Sequence, residues 1–253
     1  MPLRLNVIFG LILLLAQPVV IQAHTITVAW REKPPHQYLE NGQEKGILLE
    51  LTHKVFSEAG LSSRFVEEPA KRIWQNFANK TPNYCSFGWY KIPERQSLVQ
   101  FSDVMYSDPP HTLLVASPAL GIVNAHTNLK SVLSDARLTL AIVEGVSYGE
   151  QLDQLLATSK NKRLHVTASP AIMVRMINAN RASMLFIDRE DWLYLRSKDS
   201  SLHEIHQIDL EGMPAGLDRY IVCSKDIPSS VMARINRALA KLNTIKTTSK
   251  PGK

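Results

Sequence analysis

Arg95 is the residue whose surroundings in the sequence point most directly to a chemical role. It stands in residues 88–106, GWYKIPERQSLVQFSDVMY, after a Pro-Glu pair and before Phe-Ser-Asp. A guanidinium in a cleft or interior is costly unless an anion meets it. The sequence leaves two sources for that anion. It is either a neighbouring carboxylate, Glu94 or Asp103, or a group on a bound ligand.

Other residue patterns give little support for catalysis or for a metal centre. The chain has no Gly-x-Ser-x-Gly elbow, no His-Glu-x-x-His and no glycine-rich phosphate loop. A carboxylate such as Glu32 could do acid–base work, but no motif requires it. His203 and His206 lie three positions apart where a loop enters a strand, and such residues point to opposite faces. We therefore expect exposed histidines, no metal, no cofactor and no catalysis.

Residues 1–23 have the pattern of a secretory signal peptide. Arg4 precedes an apolar run over 7–20, and the segment ends on the small residue Ala23. The run is shorter than the roughly 20 apolar residues that span a bilayer. No cysteine follows it, so there is no lipid-attachment signal. We expect a soluble protein exported to the periplasm, with about 230 residues left after cleavage.

Charge and cysteine content narrow the class of protein further. The 253 residues carry 29 Lys and Arg against 23 Asp and Glu, for a net charge of +6. Both signs are interspersed, which is typical of a solvated surface and not of nucleic-acid binding. Residues 241–253 are basic and polar, and we predict a frayed tail there. In an exported protein, Cys85 and Cys223 either form a disulfide or remain two buried thiols.

Hydrophobic periodicity predicts alternating strands and helices. Strands are expected at 25–30, 64–66, 84–87, 112–116, 138–143, 164–167, 184–187 and 219–223. Helices are expected at 46–59, 69–79, 147–157, 169–178, 189–195 and 228–242. This alternation is typical of α/β layers. The series is long for one small sheet, and two lobes explain it better.

The order of these elements and a set of short motifs resemble one known family. The motifs are Gly88, Pro93-Glu94-Arg95, Phe101-Ser102-Asp103 and Tyr106, with Gly46, residues 144–147 and residues 183–188 as further matches. Together they resemble the bacterial extracellular solute-binding proteins of family 3, the polar amino-acid binders of ABC transporters. The resemblance covers most of the chain after the leader.

The resemblance implies a two-lobed α/β architecture, the type II periplasmic binding protein fold with two hinge crossovers. By this likeness residues 24–112 and 219–253 form lobe 1, and residues 113–218 form lobe 2. Ligands of such folds bind at the interface between lobes, and the lobes close by a hinge motion. We expect a monomer.

The resemblance also implies roles for single residues. The arginine matching Arg95 forks onto the α-carboxylate of an amino acid, a geometry that guanidinium suits well. The aspartate matching Asp188 accepts the α-ammonium, although Asp188 could also cap the helix that follows it. Gly145 and Ser147, at a predicted helix start, would offer polar contacts to the ligand.

The chain departs from the family pattern at several pocket positions. Tyr90 stands where the family often has a small hydroxyl residue, and the loop after the first strand is more charged than usual. The family's usual last aromatic helix is missing after Leu242. We expect the following residues to shape the pocket: Gly88, Trp89, Tyr90, Arg72 and Glu32.

The resemblance also implies a pairing of the two cysteines. It places Cys85 in the third strand of lobe 1 and Cys223 in the antiparallel strand beside it, so that the two residues face each other. Adjacent antiparallel residues can meet disulfide geometry. We predict a Cys85–Cys223 bridge.

The expected function is binding of a small polar carboxylate, an amino acid or a related compound, for import through an ABC permease. A role in reporting to a membrane sensor, or in binding a partner, uses the same cleft and stays open. A catalytic role is the less favoured alternative. It is known for relatives of the fold such as cyclohexadienyl dehydratases and lytic transglycosylases.

Overall fold

The computed structural model describes residues 25–144 and 147–248, and side chains as far as residue 242. The predicted signal peptide and the candidate residue Gly145 lie outside the described residues.

The described chain alternates strands and helices. Its strands are β1 (Ile26–Trp30), β2 (Tyr38–Glu40), β3 (Gln43–Lys45), β4 (Ser63–Glu67), β5 (Tyr84–Tyr90), β6 (Gln100–Ser107), β7 (Thr112–Val115), β8 (Thr139–Val143), β9 (Lys162–Val166), β10 (Met184–Ile187), β11 (His206–Ile208) and β12 (Asp218–Cys223). Its α-helices are α1 (Ile47–Glu58), α2 (Ala70–Ala78), α3 (Pro93–Gln96), α4 (Leu120–Asn124), α5 (Leu129–Leu133), α6 (Glu150–Ala157), α7 (Pro170–Asn178), α8 (Arg189–Lys198) and α9 (Ser229–Thr248). Two 3-10 turns lie at Ser117–Ala119 and Ser200–Glu204.

Two five-stranded mixed sheets organise these elements into two lobes. The first sheet has the order β4-β1-β5-β12-β6, and the second has the order β11-β7-β10-β8-β9. We call the first sheet with its helices lobe 1, and the second with its helices lobe 2. The chain passes from lobe 1 to lobe 2 at residues 108–111 and returns at 209–217.

Each sheet buries apolar side chains on both of its faces. In lobe 1, α1 and α9 cover one face, where Leu48, Val55 and Phe56 are fully buried. The other face packs against α2 through Ile73 and Phe77. Burial of each such side chain contributes about 1.5–3 kcal/mol. Lobe 2 has the same three-layer arrangement, with one apolar cluster on each side of its sheet.

The two connecting segments pass very close to each other. The Asp108 backbone N–H donates to the Leu217 carbonyl at 2.9 Å. A Cβ placed on Gly216 would lie 1.7 Å from the Asp108 carbonyl oxygen. Only glycine fits at this crossing, because any other residue would force the two segments apart.

The predicted disulfide is confirmed. β12 runs antiparallel to β5 with Cys223 opposite Cys85, and the two sulfurs are bonded across a sequence separation of 138 residues. The bridge lies in the fully buried core of lobe 1. It therefore fixes the strand that returns from lobe 2 onto the centre of the first sheet.

Three predicted helix boundaries are wrong. α8 continues to Lys198 instead of ending at Leu195. α9 continues to Thr248 instead of ending near Leu242, and its polar last turns replace much of the predicted frayed tail. α6 begins at Glu150 and not at Ser147. Its N-cap is Gly149 with φ of 93°, where a Cβ would lie 2.9 Å from Leu217. The left-handed backbone of this glycine starts the helix later than the hydrophobic pattern indicates.

Candidate functional site

A cleft of about 1210 Å³ lies between the two lobes. Lobe 1 contributes the end of β5 with the turn into α3, and lobe 2 contributes the end of β10 and the start of α6. This is the usual position of a ligand pocket in a two-lobed α/β protein. The cleft is rich in charged side chains of both signs.

Arg95 lines this cleft without a carboxylate partner. Its guanidinium lies 4.7 Å from the Trp74 ring centroid and 5.1 Å from that of Trp89, and donates to the Tyr90 carbonyl at 3.0 Å. The predicted alternative, an ion pair with Glu94 or Asp103, is not formed. Partial burial lowers the pKa of Arg95. The indole faces and one carbonyl hold the guanidinium in place, and its charge is left for another anion.

A second arginine, Arg31, stacks on the same indole. It follows β1, and its guanidinium lies 4.8 Å from the Trp89 ring centroid. Its Nε is buried without a hydrogen-bond partner. Burial, then the charges of Arg219 and Arg95, lower the pKa of Arg31 to about 10. Across the described residues, no acidic side chain forms an ion pair with either Arg31 or Arg95.

Arg219, in contrast, is neutralised by the protein. Only 2% of its surface is exposed. Its Nε donates to Asp108 at 2.6 Å, and its two terminal nitrogens donate to the Gly88 carbonyl at 3.2 Å and the Tyr90 hydroxyl at 2.8 Å. The Tyr90 hydroxyl in turn donates to Asp108 at 2.7 Å. This closed network is structural, since it satisfies its own charges.

Asp188 lies at the end of β10, beside Lys33, His111 and Arg219. Its carboxylate accepts from His111 Nε2 at 3.1 Å and Lys33 Nζ at 3.3 Å, with Arg219 at 3.8 Å. Burial opposes its ionisation, but these three partners outweigh burial and lower the pKa of Asp188. Its side chain makes no capping hydrogen bond to α8. The predicted capping role is therefore not observed.

Lys33 bridges the lobes at this point. Its ammonium lies 2.9 Å from both oxygens of Asp191, in the first turn of α8, as well as beside Asp188. The turn that carries Lys33 is held by backbone hydrogen bonds between Lys33 and Gln37 and between His36 and Lys33. The two carboxylates of lobe 2 thus meet an ammonium group that the protein itself provides.

His36 is buried beside this bridge. Both ring nitrogens lack a hydrogen-bond partner, and they lie 3.6 Å from Glu190 and from Asp191. Burial, then Arg219 and Lys33, lower the pKa of His36 to about 2, so the ring is neutral at pH 7. The Tyr106 hydroxyl donates to Glu190 from lobe 1.

Two groups of described residues have donor atoms close enough for a metal ion. One is His36, Asp188 and Asp191, and the other is His36, Asp108 and Glu190. In the first group Lys33 already holds both carboxylates, and in the second Arg219 and Tyr106 hold them. A divalent ion would have to displace these partners.

The lobe 2 wall of the cleft is less charged. The Ser147 hydroxyl donates to Asp153 at 2.5 Å and accepts from the Gly149 backbone at 3.1 Å. Asp153 also accepts from the Tyr148 backbone at 2.9 Å. Ser147 and Tyr148 both line the cleft.

The structure brings most of the predicted site residues together. Those lining the cleft are Gly88, Trp89, Tyr90, Arg95, Ser147 and Asp188. Arg72 and Glu32 do not line it: both are exposed, on α2 and in the loop after β1.

Sequence reasoning missed Arg31, Lys33, Asp191 and Arg219 as cleft residues. The only signal for the first two was the unusual charge of the loop after β1. The other two had no local signal, because their partners are far away in the sequence.

The chain was compared with curated protein sequences, with solved structures and with models of protein families. No curated protein sequence matches the chain. Among the described residues, no helix has both the length and the apolar character to cross a bilayer.

Solved structures match over most of the chain. One, from work on glutathione import via GshT and the cystine ABC importer TcyBC of Streptococcus mutans, has a TM-score of 0.66 at 15% identity, covering 88% of this chain and 90% of that one. A periplasmic His/Glu/Gln/Arg/opine family-binding protein from Silicibacter pomeroyi, in complex with lysine, has a TM-score of 0.61 at 15% identity, covering 88% and 93%. The second substrate-binding domain of Lactococcus lactis GlnP, in an open conformation, has 0.66 at 15%, covering 88% and 90%. At this identity the likeness shows the two-lobed fold alone.

The family comparison covers nearly all of the described chain. Residues 26–250 match the bacterial extracellular solute-binding proteins, family 3. The match includes both lobes and every residue of the cleft described above. The chain therefore belongs to the bacterial extracellular solute-binding proteins of family 3.

Proposed function

We propose that this protein is a periplasmic binding component that closes on a small carboxylate-bearing solute, an amino acid or a related compound, and delivers it to an ABC permease. It acts as a monomer after export, without a cofactor and without catalysis. The observation that carries this proposal is Arg95. It is a guanidinium in the interlobe cleft, stacked on Trp74 and Trp89, with no carboxylate of the described chain to pair with.

The physical argument is one of uncompensated charge. A partly buried cation without an anion is unfavourable, and a ligand carboxylate would relieve that cost through charge-assisted hydrogen bonds. The two indole rings and the Tyr90 carbonyl also hold the guanidinium in place before a ligand binds, so that little side-chain entropy is lost on binding. The names of the structural neighbours, which include lysine-bound and substrate-binding proteins, agree with a solute of this size.

The test is a thermal-shift screen of the purified protein, without residues 1–23, against amino acids, small carboxylates, polyamines and sugars. A compound that binds only the folded state raises the melting temperature. We expect hits among carboxylate-bearing compounds. We also expect Arg95→Gln to lower the affinity for these compounds by about tenfold or more, since one charge-assisted pair is lost.

Arg72→Gln is the matched control, because Arg72 is exposed and outside the cleft. It should keep the wild-type response. The proposal fails if no carboxylate-bearing compound raises the melting temperature, or if Arg95→Gln binds every hit as well as Arg72→Gln does.

A signalling role remains the second candidate, because sensing would use the same cleft. Co-purification of the ligand-loaded protein with a membrane permease supports import. Capture of a sensor domain instead would replace the transport part of the proposal and leave the ligand part intact.

A further inference from the structure

We infer that the ligand carries two carboxylates, and that Lys33 supplies the cation that Asp188 and Asp191 require, so that an ammonium group on the ligand adds no affinity. This inference rests on the proposed function, because it takes Arg95 as the partner of the first carboxylate. It adds a second anionic subsite at Arg31 and gives Lys33 a role in ligand selection.

The second subsite follows from the charge left over in lobe 1. The guanidinium carbons of Arg31 and Arg95 both lie within 5.1 Å of the Trp89 ring centroid. Neither forms an ion pair with a described carboxylate, and both line the cleft. Two like charges gathered on one indole repel each other, and an anion at each of them removes the repulsion.

The buried Nε of Arg31 gives an independent indication. This N–H group is out of contact with water and has no acceptor. A buried donor without a partner costs free energy, and such groups are uncommon in folded proteins. A ligand oxygen placed between Arg31 and Arg95 is a natural acceptor for the guanidinium group.

Arg219 does not belong to this unpaired charge. It lies in the same part of the cleft, but Asp108, the Gly88 carbonyl and the Tyr90 hydroxyl satisfy it. It needs nothing from a ligand. Among the described residues, Arg31 and Arg95 are therefore the two partly buried cations of lobe 1 that line the cleft without a carboxylate partner. Lys91 also lines the cleft, but it is exposed to solvent.

Lys33 occupies the place where a ligand ammonium would be accepted. Its Nζ lies 2.9 Å from both oxygens of Asp191 and 3.3 Å from Asp188, while His111 takes the other oxygen of Asp188. A ligand amine would have to expel this ammonium and would gain no more than Lys33 loses. The chemical class expected is a small organic dicarboxylate, with acidic amino acids included but not preferred.

The test compares compounds that differ by one group at a time. Glutarate, glutamate, butyrate and 2-aminobutyrate combine one or two carboxylates with or without an amine. Succinate, aspartate, propionate and alanine repeat the set one carbon shorter. Dissociation constants are measured by titration calorimetry on the wild-type protein at fixed salt, because surface charge effects depend on salt.

In whichever of the two sets binds more tightly, we expect the second carboxylate to lower the dissociation constant by about tenfold or more. The amine should change affinity by less than about threefold. Arg31→Gln should reduce the dicarboxylates to the level of the monocarboxylates. Lys33→Met should free Asp188 and Asp191 and make glutamate or aspartate bind about tenfold more tightly than its amine-free analogue. Lys241→Met, which removes an exposed lysine paired with Glu58 outside the cleft, should behave as wild type.

Several outcomes would overturn the inference while leaving the proposed function standing. One is equal affinity for monocarboxylates and dicarboxylates, and another is a clear preference of the wild-type protein for the amine-bearing compounds. A third is binding of a monocarboxylate amino acid from the wider screen when no compound of either set binds. Tighter binding of inorganic phosphate than of any dicarboxylate would also overturn it. If Arg31→Gln does not fold, the wild-type comparison alone still decides the question. The proposed function fails separately, only when no carboxylate binds through Arg95.

Discussion

At the scale of single residues, the cleft contains two kinds of charged side chain: those paired with an opposite charge of the protein, and those without such a partner among the described residues. Arg219 and Asp108 are both nearly fully buried and bonded to each other at 2.6 Å. Arg31 and Arg95 rest on aromatic faces instead. The first pair holds the structure where the lobes meet, and the second pair has no carboxylate partner among the described residues.

We predict that Asp108→Asn destabilises the protein by about 3 kcal/mol or more, because it leaves Arg219 buried without its main counter-charge. Glu58→Gln is the control, since it breaks an exposed pair with Lys241 and should change stability little. Urea unfolding of both variants measures the difference. Equal stability of the two variants would show that the buried pair does not stabilise this fold.

His36 should make stability depend on pH. Burial, then Arg219 and Lys33, lower its pKa from 6.5 to about 2, against the opposing effect of Asp188. Below pH 6.5 the unfolded chain therefore binds a proton that the folded chain does not. This contribution to stability is complete above pH 6.5 and is lost as the pH falls toward 2, at roughly 1.4 kcal/mol per pH unit.

We expect His36→Gln to flatten this decline between pH 6.5 and 5, as measured by urea unfolding at several pH values. His203→Gln, which alters an exposed histidine, should keep the wild-type slope. Identical slopes in all three proteins would mean that the His36 ring is charged in the folded state. Its two carboxylate neighbours at 3.6 Å would then dominate over burial.

At the scale of elements, β5 and β12 form the centre of the molecule. β12 returns from lobe 2, pairs with β5 and β6, and is tied to β5 by the Cys85–Cys223 bridge. The same two strands carry Gly88, Trp89, Tyr90 and Arg219 into the cleft. The strand pair thus fixes one wall of the binding site relative to the core of lobe 1.

Removal of the disulfide by Cys85→Ser with Cys223→Ser should cost about 2–5 kcal/mol, because the bridge closes a loop of more than a hundred residues in the unfolded chain. Ligand affinity should stay close to that of the wild type, since neither sulfur lines the cleft. The melting temperature and the dissociation constant of the double variant test both points. A loss of affinity without a loss of stability would contradict this assignment.

Local sequence patterns predicted the elements that bury apolar faces. β1, α1, α7 and β10 were expected within one or two residues of their observed bounds, because their hydrophobic periodicity is strong. The half-exposed strand β6 and the polar hairpin β2–β3 were missed, since their side chains alternate weakly and long-range pairing stabilises them. α6 started late because of one glycine.

At the scale of the whole molecule, the cleft depends on contacts that no local pattern contains. Lys33 and Asp188 are 155 residues apart, and Arg31 meets Trp89 only because β1 lies beside β5 in the sheet. The family likeness supplied Arg95 and Asp188 as candidates. Arg72 and Glu32, chosen where the chain departs from the family pattern, lie on the surface outside the cleft. The partners of the Asp188 carboxylate could be identified only from the folded structure.

Several contacts between the lobes involve α8. Lys33 and Tyr106 in lobe 1 bond to α8 in lobe 2, and Lys198 at the end of α8 pairs with Glu40. The Tyr38 and Tyr194 rings also meet edge to face between the lobes, with 5.6 Å between their centroids. A mainly polar interface of this kind is typical of domains that move relative to each other. Arg95 and Arg31 line the cleft between the lobes, where closure would exclude water from a bound anion.

The most direct test of the proposed function is a crystal structure of the protein with the strongest hit of the carboxylate screen. We expect electron density in the interlobe cleft, with a carboxylate at about 2.7–2.9 Å from the guanidinium of Arg95. A ligand bound outside this cleft, or one in the cleft that leaves Arg95 in contact only with the Tyr90 carbonyl and the two indole rings, would contradict it.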